Sequence, residues 1–168
     1  MGVSGNNETG GGVGIFIRDY LQYNILSNFN LSLTNCEDIW IEVPLNNNKK
    51  ITIASIYRHP SQNFQLFQKS LTSRLETLSN RNLTYLIGGD ININYLSQST
   101  LVSNYKNEIQ STGSSQIVKS ATRFSQTCKK SLIDHIYTNL PETKVVNHCI
   151  SFDILDHIPL FTMITMSP

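Results

Sequence analysis

Apolar and polar positions along the chain fall into distinct periods, and those periods predict most of its elements. Residues 12–18 form a short run of β-branched and aromatic side chains opened by glycines, which predicts a buried strand. Ile39, Ile41 and Val43 alternate with Trp40 and Glu42 up to Pro44. A polar Asn46-to-Lys49 turn follows, and residues 51–57 return as a second apolar run, so the pair predicts a β-hairpin. Phe64, Phe67, Leu71, Leu75 and Leu78 then recur at spacings of three and four. That period predicts a helix with one buried stripe, capped by Ser61 or Asn63. Residues 83–88 are apolar without alternation, as in a strand covered on both faces, and end at Gly88-Gly89-Asp90.

Further along, residues 102–110 predict a short helix stopped near Gly113, and residues 115–118 another strand. Residues 132–137, 144–150 and 160–166 are three more strand candidates. Hairpin, helix, buried strand and then more strands indicate a mixed α/β domain in which helices cover sheet faces.

Composition narrows the partners. A chain of 168 residues with 39% hydrophobic content is the size of one domain with a real core. The formal net charge of +1 gives no global basic field, so any phosphate-binding surface has to be local. Three widely spaced cysteines, Cys36, Cys128 and Cys149, fit neither a disulfide framework nor paired metal knuckles, and point to a reducing compartment. The Gly/Asn-rich residues 1–11 carry no apolar core of a signal peptide, and no segment reaches transmembrane length. The expectation is an intracellular protein, nuclear or cytoplasmic, not secreted and without a membrane partner. No Walker loop, serine elbow or dinucleotide fingerprint is present.

Candidate chemistry gathers at strand ends. Asp90 and Asn92 follow the buried strand two residues apart, an acid and an amide suited to metal binding and to a phosphoryl oxygen. The same dipeptide spacing also makes an Asx turn. Two Asp-His pairs occur, Asp134-His135 inside a predicted strand and Asp156-His157 before Pro159. Neighbours on a strand face opposite ways, so only one of Asp134 and His135 reaches a given site. A histidine held by a carboxylate keeps one tautomer and gains basicity. Tyr57-Arg58-His59-Pro60 offers a phenol and two cations at the hairpin end, and Lys119, Arg123, Lys129 and Lys130 form a small basic cluster.

The order of these elements is more specific than any one of them. Gly10-Gly-Gly-Val-Gly-Ile-Phe-Ile-Arg18, Ile56-Tyr-Arg-His-Pro60, Gly89-Asp-Ile-Asn-Ile-Asn94, Ala121-Thr-Arg123, Leu132-Ile-Asp-His-Ile-Tyr-Thr-Asn139 and Asp156-His-Ile-Pro159 succeed one another. The series resembles the endonuclease/exonuclease/phosphatase superfamily, and more narrowly the endonuclease domain of non-LTR retrotransposons, relatives of apurinic/apyrimidinic endonucleases and DNase I.

The resemblance implies a four-layer α/β sandwich of the DNase I type, here missing its N-terminal strand and helix, with residues 1–11 flexible and 12–168 a partial domain. It implies an Mg²⁺- or Mn²⁺-dependent phosphodiesterase that nicks DNA, encoded in a retrotransposon-like open reading frame, with a C-terminal reverse transcriptase domain in the full-length relative. By motif, Asp90 and Asn92 match the catalytic Asp and the phosphate-orienting Asn. Asp156, a metal ligand, and His157 match the Ser-Asp-His ending, and Asp134 matches the carboxylate that orients His157, leaving His135 spare. Tyr57 matches the tyrosine on the scissile phosphate, while Thr122, Arg123 and Arg58 fall to substrate binding. Three departures stand out: the Gln-Glu motif with its metal-binding Glu has no match, Leu155 replaces the usual Ser, and His59 replaces a Pro. A chain without that Glu is expected to be weakly active or inactive by itself. A non-catalytic nucleic-acid-binding module of the same fold, or a phosphatase on small or lipid phosphoesters, are the competing functions.

Overall fold

The computed structural model describes residues 12–46, 48–124, 130–150 and 156–165. Strands β1 (Asn24–Ile25), β2 (Cys36–Pro44), β3 (Lys50–Arg58), β4 (Thr84–Asp90), β5 (Ser115–Gln116), β6 (Asp134–Thr138), β7 (Val145–Cys149) and β8 (Leu160–Ile164) join helices α1 (Phe64–Asn80) and α2 (Thr100–Ser111). They form a six-stranded sheet of order β1-β2-β3-β4-β6-β5 and a two-stranded β7-β8 sheet.

The predicted hairpin is the spine of the large sheet, with β2 antiparallel to β3 over nine residue pairs, Ile41 opposite Ile53. β4 runs parallel to β3, which demands a crossover, and α1 supplies it. Asn63 caps that helix by accepting the Leu66 N–H at 3.0 Å. Phe67, Leu71, Leu75 and Leu78 of α1, with Val102, Tyr105 and Ile109 of α2, pack on Trp40, Ala54, Ile56, Tyr85, Ile87 and Tyr137 of the sheet. The opposite sheet face meets β7 and β8 through Leu160, Cys149 and Ile164. The layers run helices, six-stranded sheet, two-stranded sheet, and among the described residues no helix covers the outer face of β7 and β8. No helix among them is long and apolar enough to cross a membrane.

Residues 12–18 depart from expectation. Val13 is buried, Ile15 and Ile17 rest on the Ile41–Val43–Ile51 cluster, and Phe16 is 91% exposed, so the strand-like alternation is real. No ladder forms, because among the described residues no neighbouring strand pairs with it. The run at 115–118 shortens to a two-residue strand, with Ser115 and Gln116 in register with β6 and the Ile117 N–H donating to the Ile136 carbonyl just beyond it. α2 is longer than its apolar period because Ser99 caps it, accepting from Val102, and Gly113 at φ 77° follows its end.

Candidate functional site

Sheet register builds one rim. Tyr57 on β3 pairs with Asp90 on β4, and Asp90 pairs with Asp134 on β6, so the three stand in one row across adjacent strands. Glu37 on β2 pairs with Tyr57 and extends the row by one strand. The close packing beneath Asp90 needs Gly89. At φ 152°, a Cβ there would sit 1.8 Å from the Ile56 carbonyl oxygen of β3. A β-carbon at that position is excluded, so the chain reaches the rim through a glycine.

Chain reversal after β4 sets the next groups. Asp90 Oδ1 accepts the Asn92 N–H at 3.0 Å, an Asx turn, and Asn92 itself lies at φ 52°. Asparagine tolerates that left-handed conformation better than most residues. Its Nδ2 donates to the Arg58 carbonyl at 2.9 Å. From the other side, residues 122–124 run beside 156–158: the Phe124 N–H donates to the Asp156 carbonyl and the Ile158 N–H to the Thr122 carbonyl. His157 is thereby carried over β6, where its Nδ1 meets both Asp134 carboxylate oxygens at 3.0 and 3.1 Å.

Asp90, Asp134 and His157 each present a ligand atom, and these lie within 4.8 Å of one another. Two carboxylates suit a hard divalent cation such as Mg²⁺ or Mn²⁺. Burial pushes the Asp90 carboxyl above the usual range, the Asn92 N–H opposes that, and Asp134 adds to it. A cation between the two acids offsets both the burial and the repulsion.

The sequence-derived candidates separate here. Asp90, Asn92, Asp134, His157 and Tyr57 come together at the rim. Asp156 does not join them, since its exposed carboxylate takes the Arg123 guanidinium at 3.2 Å. Arg58 is turned away altogether: strand alternation puts it on the face opposite Tyr57, 5% exposed, with its N–H groups on main-chain carbonyls. Thr122 is fully buried, its hydroxyl oxygen accepting the N–H groups of Ile133 at 3.2 Å and Asp134 at 3.1 Å, so it grips the start of β6 from the interior, out of reach of a substrate. Neither Arg58 nor Thr122 is placed to touch nucleic acid. His135, the spare, lies at 0% exposure among Tyr95, Tyr105 and Tyr137. In the basic cluster, Lys119 donates to the Gln116 carbonyl and Lys130 lies 5.1 Å from the Phe124 ring. Lys129 and Leu155 are outside the described residues.

Glu37 precedes the alternation that predicts the hairpin, yet it lies opposite Tyr57 in the sheet, and its Oε2 is buried without a hydrogen-bond partner.

A mixed sheet with helices on one face and a two-stranded sheet on the other is a fold that the chain shares with solved structures of endonuclease/exonuclease/phosphatase proteins. It is similar to the endonuclease domain of TRAS1, a telomere-specific non-LTR retrotransposon, at 14% identity and a TM-score of 0.71, covering 98% of this chain and 77% of that one. TDP2 of D. rerio, complexed with a single-strand DNA product, matches at 14% identity and 0.64 over 97% of this chain and 75% of that one. The 3′-5′ exonuclease NExo from Neisseria meningitidis matches at 14% identity and 0.65, over 99% and 80%. No family model and no curated protein matches the sequence.

Proposed function

We propose that the chain is a divalent-metal-dependent phosphodiesterase that cleaves the DNA backbone at the rim of its six-stranded sheet, as in a retrotransposon-type endonuclease. The observation that carries this reading is the approach of Asp90, Asp134 and His157 to within 4.8 Å, with His157 held by Asp134. DNA as the substrate is supported by the solved structures of the same fold, which include an endonuclease domain, a 3′-5′ exonuclease and a complex with a single-strand DNA product.

Asp90 and Asp134 would hold Mg²⁺ or Mn²⁺, which supplies Lewis-acid polarisation and charge neutralisation at the scissile phosphate. The protein groups have their own tasks. Asp134 fixes the His157 ring through Nδ1, leaving Nε2 to hold or release a proton at the phosphate. Asp90 accepts a proton from, and orients, the attacking water. The second N–H of the Asn92 amide and the Tyr57 phenol would donate to non-bridging phosphate oxygens, fixing the phosphorus for in-line attack.

Two measurements test this. Mn²⁺ binding followed by electron paramagnetic resonance should weaken in Asp134→Asn. Plasmid nicking should be weak, require Mg²⁺, stop on chelation, and fall by roughly 10²- to 10⁴-fold in His157→Ala. Nicking that is equal in wild type and His157→Ala, or Mn²⁺ binding indifferent to Asp134→Asn, overturns the reading.

A further inference from the structure

Arg58 ends β3 directly beside Tyr57, yet its guanidinium lies on the helix-covered face of the sheet. Nη2 donates to the Gln62 carbonyl at 2.6 Å, Nη1 to the Ile91 carbonyl at 3.1 Å and to that of Asn92 at 3.5 Å. The group stands 5.7 Å from the Phe67 ring centroid. Among the described residues no carboxylate pairs with it, and its Nε has no partner. A buried cation without an acid is costly, and an apolar side chain would cover α1 without that cost. What the cation holds therefore matters more than what it covers.

It holds the turn that carries the site. The Ile91 carbonyl and the Asn92 N–H belong to one peptide unit. Its oxygen accepts from Arg58, and its N–H donates to Asp90 Oδ1 at 3.0 Å. Cation, peptide and carboxylate thus form a chain of hydrogen bonds in which each polarises the next. A second link runs back, since the Arg58 carbonyl accepts Asn92 Nδ2 at 2.9 Å. Asn92 sits at φ 52° in the turn, and both links bear on that one residue.

We propose that Arg58 is a positioning residue which, from the far face of the sheet and through the 91–92 peptide, sets both the Asp90 carboxylate and the Asn92 amide at the rim. Its catalytic consequence rests on the phosphodiesterase reading, but the structural link does not.

Amide hydrogen exchange by NMR on the whole chain, free of metal and substrate, reads the link directly. In Arg58→Met the Asn92 N–H exchanges about tenfold faster than in wild type, the protection of roughly one hydrogen bond, while β2 amides keep their rates. Arg58→Lys keeps the charge but cannot reach the Gln62 and Ile91 carbonyls together, and it falls between the two. Unchanged Asn92 exchange in a folded Arg58→Met overturns the proposal. If that variant fails to fold, unchanged exchange in Arg58→Lys overturns it equally.

With Mg²⁺ and plasmid DNA, Arg58→Lys lowers kcat by up to about 10²-fold, the scale of a small misplacement, while KM stays within about twofold. Arg58→Lys combined with Asn92→Ala is no slower than Asn92→Ala alone, because both act on one turn. Fully additive losses, or a change confined to KM, overturn the proposal. A wild-type chain that cleaves no phosphodiester sinks the phosphodiesterase reading instead, and the exchange measurement still decides the role of Arg58.

Discussion

The chain contains the dipeptide Asp-His twice, and the sheet gives its two copies opposite surroundings. In Asp134-His135 the acid faces the rim, while the histidine points into the helix-side core, its Nδ1 on the Tyr137 hydroxyl and its Nε2 2.9 Å from the Ile93 carbonyl. Burial holds His135 down to about 4, so it stays neutral at pH 7. In Asp156-His157 the histidine is half-buried at the rim on Asp134, and the acid lies out in solvent on Arg123. Identical chemistry becomes core or site according to which face of a strand it leaves from. One acid from the first pair and one histidine from the second make the dyad, so neither dipeptide is a functional unit by itself.

The largest expected effect separates the two histidines by activity. His157→Ala lowers Mg²⁺-dependent plasmid nicking by roughly 10²- to 10⁴-fold, the usual worth of an acid/base group. The same change shifts the urea midpoint little, since the ring is partly exposed. Comparable nicking losses in His135→Gln and His157→Ala at equal folded fractions would erase the contrast.

Stability is where His135 acts. Its folded pKa lies below the value of about 6.5 expected for an unfolded chain, so between those values the unfolded state binds more protons. The stability contribution is fully present above pH 6.5 and is lost as pH falls toward 4. A depression from 6.5 to about 4 corresponds to about 3 kcal/mol. Burial raises Asp90 and Asp38, which act in the opposite sense, so the quantity to measure is the difference between wild type and His135→Gln. Urea unfolding from pH 7 to 4.5 should show wild type losing stability relative to the variant. Parallel pH curves would remove His135 from the account.

A smaller effect tests what supports the dyad. Thr122→Val keeps the shape but removes the acceptor for two buried N–H groups, one of them Asp134's. The expected cost is about 1–3 kcal/mol in urea unfolding, with Thr122→Ser close to wild type. Equal stability in the valine variant would mean that those N–H groups find other partners.

What was legible in the sequence divides along the same line between local and distant. The hairpin and α1 announce themselves by alternation and by three-four spacing, because their residues pack within one continuous segment. The separation of Tyr57 from Arg58 was also within reach, since strand neighbours always face apart. Thr122 was not, because its hydroxyl is used by β6, twelve residues later, and nothing in Ala-Thr-Arg indicates burial. Residues 12–18 show the limit from the other side: side-chain alternation states a preference for strand, and only a partner's backbone turns it into a ladder. The meeting of Asp134 with His157, 23 residues apart, was suggested by motif order rather than by any periodicity.

The second Asp-His pair also yields the smallest effect. Arg123 and Asp156 bond at 3.2 Å with 43% and 56% of their side chains exposed. Exposed ion pairs contribute about 0–1 kcal/mol, because water screens the charges and ordering two mobile side chains costs entropy. Arg123→Gln should therefore shift unfolding by less than about 1 kcal/mol, and 1 M salt should abolish even that difference. The main-chain bonds from Phe124 to Asp156 and from Ile158 to Thr122 survive the substitution, so His157 should stay on Asp134. Histidine NMR checks this point, since the His157 ring signals should remain at their wild-type positions in Arg123→Gln. A loss of several kcal/mol, or a displaced His157 resonance, would show that the ion pair rather than the main chain carries His157 over β6. The contrast between the two Asp-His pairs would then rest on Arg123 instead of on strand geometry.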